Sequence, residues 1–495
     1  MAGRLVKGKY SIVCIVLKNR FLIIVSFFCL CMVNTYAWDF WPLPMAEPDI
    51  EEDTLQYGVT LSGLASTGRY APFLLQSNRS GDISSEQYSG NVSVYIGKRA
   101  TRPHRWYDYD FAIDWSGRID NRSMTCYFNQ LYAHVRLYVI DITAGITPYL
   151  LGPQDPNLST GGMLFSTNAH PIPRVTIGID RYTAFPGLYG FVEIKGGLTH
   201  GWFADNVYVS KSYLHHAFAG ARLLGNLPIN VSYEFHHVAQ WGGYSPVYGD
   251  LGNGWKDFGH AILAKSGGSM ANDLINAQGN HIGWQILSVD LKGEEWTATA
   301  YWQAIFEDGP VKFISQTMNR SDGLWGLHIS QSVWPFINGF TYEYLNTTDQ
   351  SGPYHDRDGF VYGGNDSYFR NSIYQNGWNY FMRSIGTPYI TSPIYNADGP
   401  VQTLNNRVRT HYAGFTGDIY GWRYRLMGSY TRNYGQYEAP LYSENTAVLL
   451  EVSKCFEKAW GLEMSLSVAA DFGSQFGNQF GAMLRIAKKG IIWKY

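Results

Sequence analysis

LEMSLSVAADFG, residues 462–473, decides the fold. Leu462, Met464, Leu466, Val468, Ala470 and Phe472 fall on one side of an extended chain, and Glu463, Ser465, Ser467 and Asp471 on the other. Successive strand side chains point to opposite faces, so the segment is a ribbon with one apolar and one polar face. It is long enough to cross a bilayer at a tilt of about 45°. The same period of two runs outward through the chain. Phe111, Ile113 and Trp115 alternate with Asp110, Asp114 and Ser116, and Leu131, Ala133, Val135, Leu137 and Val139 with Tyr132, His134, Arg136 and Tyr138. Ile229, Val231, Tyr233 and Phe235 oppose Asn230, Ser232, Glu234 and His236. Trp296, Ala298, Ala300, Trp302, Ala304 and Phe306 oppose Thr297, Thr299, Tyr301 and Gln303.

Soluble β-sandwiches alternate as well. Three features favour an all-β chain forming a transmembrane antiparallel β-barrel of the outer membrane: long strands, aromatics such as Trp106, Tyr107, Trp422 and Tyr430 near strand ends, and connections that alternate short and long. Strands are expected near 54–66, 88–98, 108–118, 125–147, 172–182, 188–202, 214–224, 227–237, 280–291, 294–307, 322–331, 336–347, 404–418, 420–434, 444–455, 460–472 and 477–489. Counting back from a periplasmic C-terminus makes the short connections periplasmic and the longer ones extracellular. An odd strand count leaves the N-terminus on the wrong side, so one further strand is expected within 67–87, giving 18 strands. The barrel is assigned to 54–495, with large extracellular loops near 148–171, 238–279 and 348–403.

Composition agrees. Charged residues make up 16% and aromatics 16% of 495 residues, with 53 glycines. No apolar run is long enough for a transmembrane helix. At the N-terminus, Arg4, Lys7, Lys9, Lys18 and Arg20 precede an apolar run from Phe21 to Val33, and Thr35-Tyr36-Ala37 offers a cleavage site. Residues 1–37 therefore read as a signal peptide, and the acidic stretch 38–53 as a short periplasmic lead-in. The remainder carries 33 basic and 40 acidic residues, a net charge of about −7 that disfavours nucleic acid or anionic lipid as the main partner. Cys126 and Cys455 remain, allowing one disulfide at most.

Residues 351–391 show neither strand alternation nor a helical stripe, yet are dense in Tyr, Trp, Phe, Asn, Gly and Arg. Long irregular connections are functional or disordered, and disordered segments are poor in aromatics. The stretch reads as a folded loop presenting a polar and aromatic surface. Sugars offer apolar C–H faces ringed by hydroxyls, which aromatic platforms with Asn, Gln and Arg donors match. Candidate glycan-binding residues are Trp241, Tyr244, Tyr368, Arg370, Asn371, Asn376, Trp378 and Arg383. The plainer reading of each is that it packs its loop against the barrel wall. Pro171 and Pro173 in 161–179 suggest an extended strand entry. No catalytic motif, cofactor or metal is expected. His215-His216 and His236-His237 alternate on strands, and Asp356 and Asp358 lack the other ligands of a calcium loop. Lumen-facing Arg136, Glu234, Glu463 and Asp471 read as a hydrogen-bonded plug network.

Three loop segments, LGPQDPNLSTGGMLFSTNAHPIPRVTIGI at 151–179, HHVAQWGG at 236–243 and NDSYFRNSIYQNGWNYFMRSIGTP at 365–388, together resemble the Wzi-type capsule-assembly outer-membrane proteins in their Bacteroides-type form. The resemblance spans roughly 55–489 and implies an 18-stranded outer-membrane barrel acting as a lectin for capsular polysaccharide at the cell surface. It departs from the enterobacterial form in its short lead-in and in the absence of tryptophan around Leu151-Gly152-Pro153. The expected partners are surface or capsular polysaccharide, outer-membrane lipid and lipopolysaccharide, and polysaccharide export machinery. The alternative is an outer-membrane channel for oligosaccharides or other small solutes, since an 18-stranded barrel holds an aqueous lumen unless it is plugged.

Overall fold

The computed structural model describes residues 54–98, 106–263, 279–307, 321–352, 355–357, 359–362, 366–397 and 399–494. The expected signal peptide and lead-in lie outside the described residues.

Eighteen antiparallel strands close into one barrel. They are β1 (Thr54–Tyr70), β2 (Glu86–Lys98), β3 (Tyr107–Asp120), β4 (Met124–Leu137), β5 (Ile140–Ile146), β6 (Arg174–Ala184), β7 (Val192–Trp202), β8 (Tyr213–Leu223), β9 (Ile229–Trp241), β10 (Asn280–Lys292), β11 (Trp296–Phe306), β12 (Gly323–Gln331), β13 (Gly339–Asn346), β14 (Val408–Ile419), β15 (Trp422–Gly435), β16 (Pro440–Phe456), β17 (Leu462–Gly473) and β18 (Gln479–Lys494). Each strand pairs with its sequence neighbour, and β1 closes the ring on β18 from Thr54↔Lys494 to Ser66↔Gly481. Closure leaves no free edge.

Alternation runs opposite to that of a soluble protein. On β17, Leu466 and Phe472 are 51% and 53% exposed while Ser467 and Asp471 are at 0%. Apolar side chains stand outward as a lipid-facing band, and polar ones are buried in the interior. Aromatics ring the rim of short turns. Trp106 packs on Tyr107 and Tyr138, with ring centroids 4.7 and 6.1 Å apart, and Trp422 and Trp460 stand exposed.

The expected strand count holds, but the missing strand lies elsewhere. Residues 71–85 form no barrel strand; they carry a short helix, α1 (Phe73–Gln76), whose residues are all buried. The stretch 125–147 is instead two strands, β4 and β5, joined at Tyr138-Val139. Tyr138 takes φ +54, and its N–H donates to Trp106 O at 2.7 Å. Apolar residues continue through Leu137, Val139, Ile140 and Ile142, slipping phase by one between Val139 and Ile140, with no Gly, Pro or Asn to mark the reversal. That absence is why the sequence reads as one long strand.

Short connections gather at one rim (138–139, 293–295, 420–421 and 457–461 among them) and long ones at the other (71–85, 147–173, 242–279, 307–322 and 347–407). Three of the long connections fold into the barrel. One hydrophobic cluster joins Phe73, Leu74 and Leu75 of α1, Met163, Leu164 and Phe165, and Tyr368, Phe369, Trp378 and Ile385 to inward wall residues including Trp284, Tyr301, Val408, Leu449 and Met483. The core of the molecule therefore lies in the lumen.

Candidate functional site

Inward polar side chains of the wall hold these connections in place. Glu343 on β13 accepts hydrogen bonds from Ser159 Oγ and Thr160 N, each at 2.6 Å, and from Tyr301 Oη. Gln303 on β11 accepts from Met163 N at 2.9 Å and donates to Gln154 Oε1 at 2.8 Å. Asp471 on β17 accepts from Phe73 N at 2.8 Å, and Glu451 on β16 accepts from Arg79 at 2.9 Å. Buried donors and acceptors are costly unless paired, so these bonds fix which part of each connection meets which strand. Of the four charges expected to form a plug network, Asp471 does so. Glu234 instead pairs with Lys195 at 2.5 Å and Tyr182 at 3.0 Å, and Arg136 with Asp141 at 2.9 Å, all within the wall. Glu463 pairs with Arg423 near the short-turn rim, at 2.9 Å.

Residues 366–397 fold across this interior. Trp378 is fully buried, its Nε1 donating to Leu164 O at 2.8 Å and its ring 5.5 Å from Phe165 and 6.4 Å from Phe203. Gly377 makes the approach with φ +61; a Cβ there would lie 2.0 Å from Phe369 O. A short hairpin pairs Tyr380 with Arg383 around Phe381 and Met382, at φ +47 and +61. Two left-handed central residues are the geometry of a type I′ turn, commonly Asn-Gly. Here the Asp205 carboxylate accepts the Phe381 N–H at 3.0 Å and ties the turn to the connection after β7. Burial raises the Asp205 carboxyl to about 6. It lowers His170, whose ring packs 4.5 Å from Tyr127 and 5.7 Å from Phe381, to about 4.

The eight expected glycan residues divide. Tyr368, Trp378, Asn376 and Arg383 are buried, with Arg383 donating to Ile83 O at 2.9 Å and to Gln76 Oε1. Burial also pulls the Arg383 guanidinium down from its usual range. Trp241 is buried against Tyr213, 4.8 Å away, and Phe258 of a helix on the connection after β9, α2 (Trp255–Leu263). These rings serve as packing in this conformation and present no open face. Tyr244 is exposed. Arg370 and Asn371 are partly exposed.

Around Arg370 lies a cluster of amides that alternation could not reveal, because its members are far apart in sequence, in the connection 347–407 and the connection 436–439. Arg370 donates to Gln436 Oε1 at 2.7 Å and to Gln402 Oε1 at 3.0 Å, while Gln402 donates to Gln375 Oε1 at 3.2 Å. Asn371 Oδ1 accepts from Ile373 N and Tyr374 N. The Asn376 amide is buried with neither its nitrogen nor its oxygen bonded to protein. A forked cation among amides is chemistry suited to sugar hydroxyls and carboxylates. Among the described residues no group of three or more His, Cys, Asp or Glu is placed to hold a metal. Cys126 and Cys455 are both free. Asp358, of the expected polar turn, lies outside the described residues.

No family model and no curated protein matches the sequence. Solved structures do. Wzi of Escherichia coli, described as an outer-membrane protein involved in group 1 capsule assembly and a carbohydrate-binding β-barrel, superposes with a TM-score of 0.55 at 13% identity, covering 87% of this chain and 84% of that one. This chain has the fold of an outer-membrane β-barrel. OccK5 and OprD of Pseudomonas aeruginosa align at TM-scores of 0.47 and 0.44, with 9% and 12% identity, over 90% and 91% of this chain and 99% and 98% of theirs.

Proposed function

We propose that this barrel is a non-enzymatic surface lectin that helps attach or assemble capsular polysaccharide, with the long-connection rim facing outward from the cell. The observation that carries this reading is the filled interior. Three connections are packed into one apolar cluster and hydrogen-bonded to wall carboxylates and amides, the third through Asn405, which donates to Asn433 Oδ1 on β15 at 2.7 Å, and this counts against a solute channel. The Wzi likeness agrees with it at the level of fold. The binding surface we assign is the cluster of Arg370, Gln375 and Gln402 together with Asn371 and the exposed Tyr244, with Gln436 and Asn376 buried behind it. Tyr368, Trp378 and Arg383 support it from beneath. A repeating polymer meets many copies of the barrel, so weak single sites suffice for retention. Export machinery would deliver the polymer to this rim.

The test is capsule retention in a deletion strain complemented with wild type or with Arg370→Ala. Polysaccharide that is made but shed, and is held again by wild type and far less by the variant, supports the lectin. Equal retention in all strains, with ion conductance by the purified barrel, sinks it.

A further inference from the structure

The outward face of β13, β14 and β15 changes chemistry in three steps toward the long-connection rim. Phe340, Phe415 and Leu426 are aligned across the three strands, the two rings 5.0 Å apart. Nearer the rim, Tyr344, His411 and Tyr430 form the next row, with Tyr344 and His411 rings 4.9 Å apart. Beyond them Arg409 pairs across from Arg432, with Arg407 and Tyr434 past the pair. At about 3.3 Å per residue and a tilt near 45°, Arg409 stands roughly 23 Å from Ile419 along the membrane normal, close to the ~25 Å height of an apolar band. The guanidinium row therefore falls at headgroup level, directly after the aromatic girdle.

Arg407 and Arg409 line a cleft of about 400 Å³ with Thr348, Asp349, Tyr434 and Tyr437. Arg407 stacks 3.8 Å over the Tyr437 ring, and its Nε donates to Thr348 O at 3.2 Å. Arg409 donates from Nε to Asn346 Oδ1 at 3.3 Å and from one terminal nitrogen to Thr348 Oγ1 at 3.2 Å. Each guanidinium is thus aimed by its inner edge. Neither has a carboxylate ion-pair partner among the described residues, unlike Arg423 at the other rim, which pairs with Glu463 at 2.9 Å. Two held, unneutralised guanidiniums side by side suit bidentate capture of phosphate. The Asp349 carboxylate in the same cleft disfavours a bare anion but can accept from sugar hydroxyls beside a phosphate.

We propose that this cleft binds the phosphorylated sugar headgroup of an outer-leaflet glycolipid of the lipopolysaccharide type. The cleft is separate from the amide cluster around Arg370, so the lipid acts as a seat for the barrel in its membrane.

Native mass spectrometry of the full protein in phosphatidylcholine nanodiscs tests the assignment, with bisphosphorylated lipid A, phosphatidylglycerol and inorganic phosphate as separate probes. Wild type is expected to hold one lipid A at least tenfold more tightly than Arg407→Ala plus Arg409→Ala, and to hold neither of the other probes comparably. Arg423→Ala should bind as wild type does, and heat-modifiable migration confirms that each variant keeps its barrel. Should the double alanine variant misfold, Arg407→Lys plus Arg409→Lys replaces it, and is expected to bind more weakly than wild type because the planar forks are lost. Lipid A retention equal to wild type in the folded double variant overturns the proposal. Phosphatidylglycerol held as tightly as lipid A, or a matching loss in Arg423→Ala, overturns it equally.

Discussion

Asp205 and His170 show how single titrating groups set the docking of the inner segment. The Asp205 carboxyl sits near 6 in the folded protein against 3.8 in the open chain. A raised carboxyl contributes stability that is complete below about pH 4 and lost as pH rises through 6. Asp205→Asn keeps an acceptor for the Phe381 N–H and has no charge to bury. Its advantage over wild type should be absent below about pH 4 and level off above about pH 6, at a magnitude on the order of 3 kcal/mol. His170 works the other way. Its value is lowered to about 4, so its contribution is full above 6.5 and lost as pH falls through 4. In wild type the two slopes partly cancel, and Asp205→Asn should expose the acid loss alone. Hydrogen exchange of residues 378–385 across pH 4–8 reads both, and a pH-independent gap between the proteins would refute the assignment. Trp378→Ala removes a fully buried ring and leaves the Leu164 carbonyl without its donor. It should cost about 3–5 kcal/mol of docking, read as protease cleavage within 366–397 while the barrel still shows heat-modifiable migration.

Elements differ in what they tolerate at a glycine. Gly377 and Gly421 both hold positive φ, +61 and +79, but a Cβ at Gly377 would strike Phe369 O whereas nothing lies within 4 Å of one at Gly421. Gly421→Ala at the β14–β15 turn should cost only about 1 kcal/mol, the left-handed penalty alone. Gly377→Ala should displace Trp378 and reproduce the protease sensitivity of its truncation. Thermal unfolding and limited proteolysis of the two variants check the contrast; equal behaviour would mean that the inner segment is not packed as described. At Glu343, three donors converge on one carboxylate. Glu343→Gln turns one acceptor position into a donor facing donors, and should loosen 158–163 without opening β13.

For the whole molecule, the filled lumen sets conductance. Purified wild type in planar bilayers should show only small, infrequent steps, and Trp378→Ala plus Glu343→Gln should raise current by loosening two of the three inner segments. Large steady currents from wild type would favour the channel over the lectin. Outward apolar and inward polar faces were legible on every strand quoted from the sequence, because bilayer and lumen impose period two directly. The β4–β5 turn was not, since Tyr138-Val139 carries no turn residue and lipid-facing apolar side chains continue on both sides of it. Of the candidate site, Arg370 and Asn371 could be named from the density of polar and aromatic residues. Their partners Gln402 and Gln436 could not, because one lies 32 residues further along the same connection and the other beyond β15, 66 residues away.

By itself the sequence determined the alternation and the parity that together call for a closed barrel of 18 strands. Each depends on spacing along the chain. Only the tertiary structure decided that Trp378, Tyr368 and Arg383 lie inside. A dense aromatic stretch can pack inward or face solvent at the same composition. The choice rests on distant partners, Leu164 O for Trp378 and Ile83 O for Arg383, that no local pattern contains.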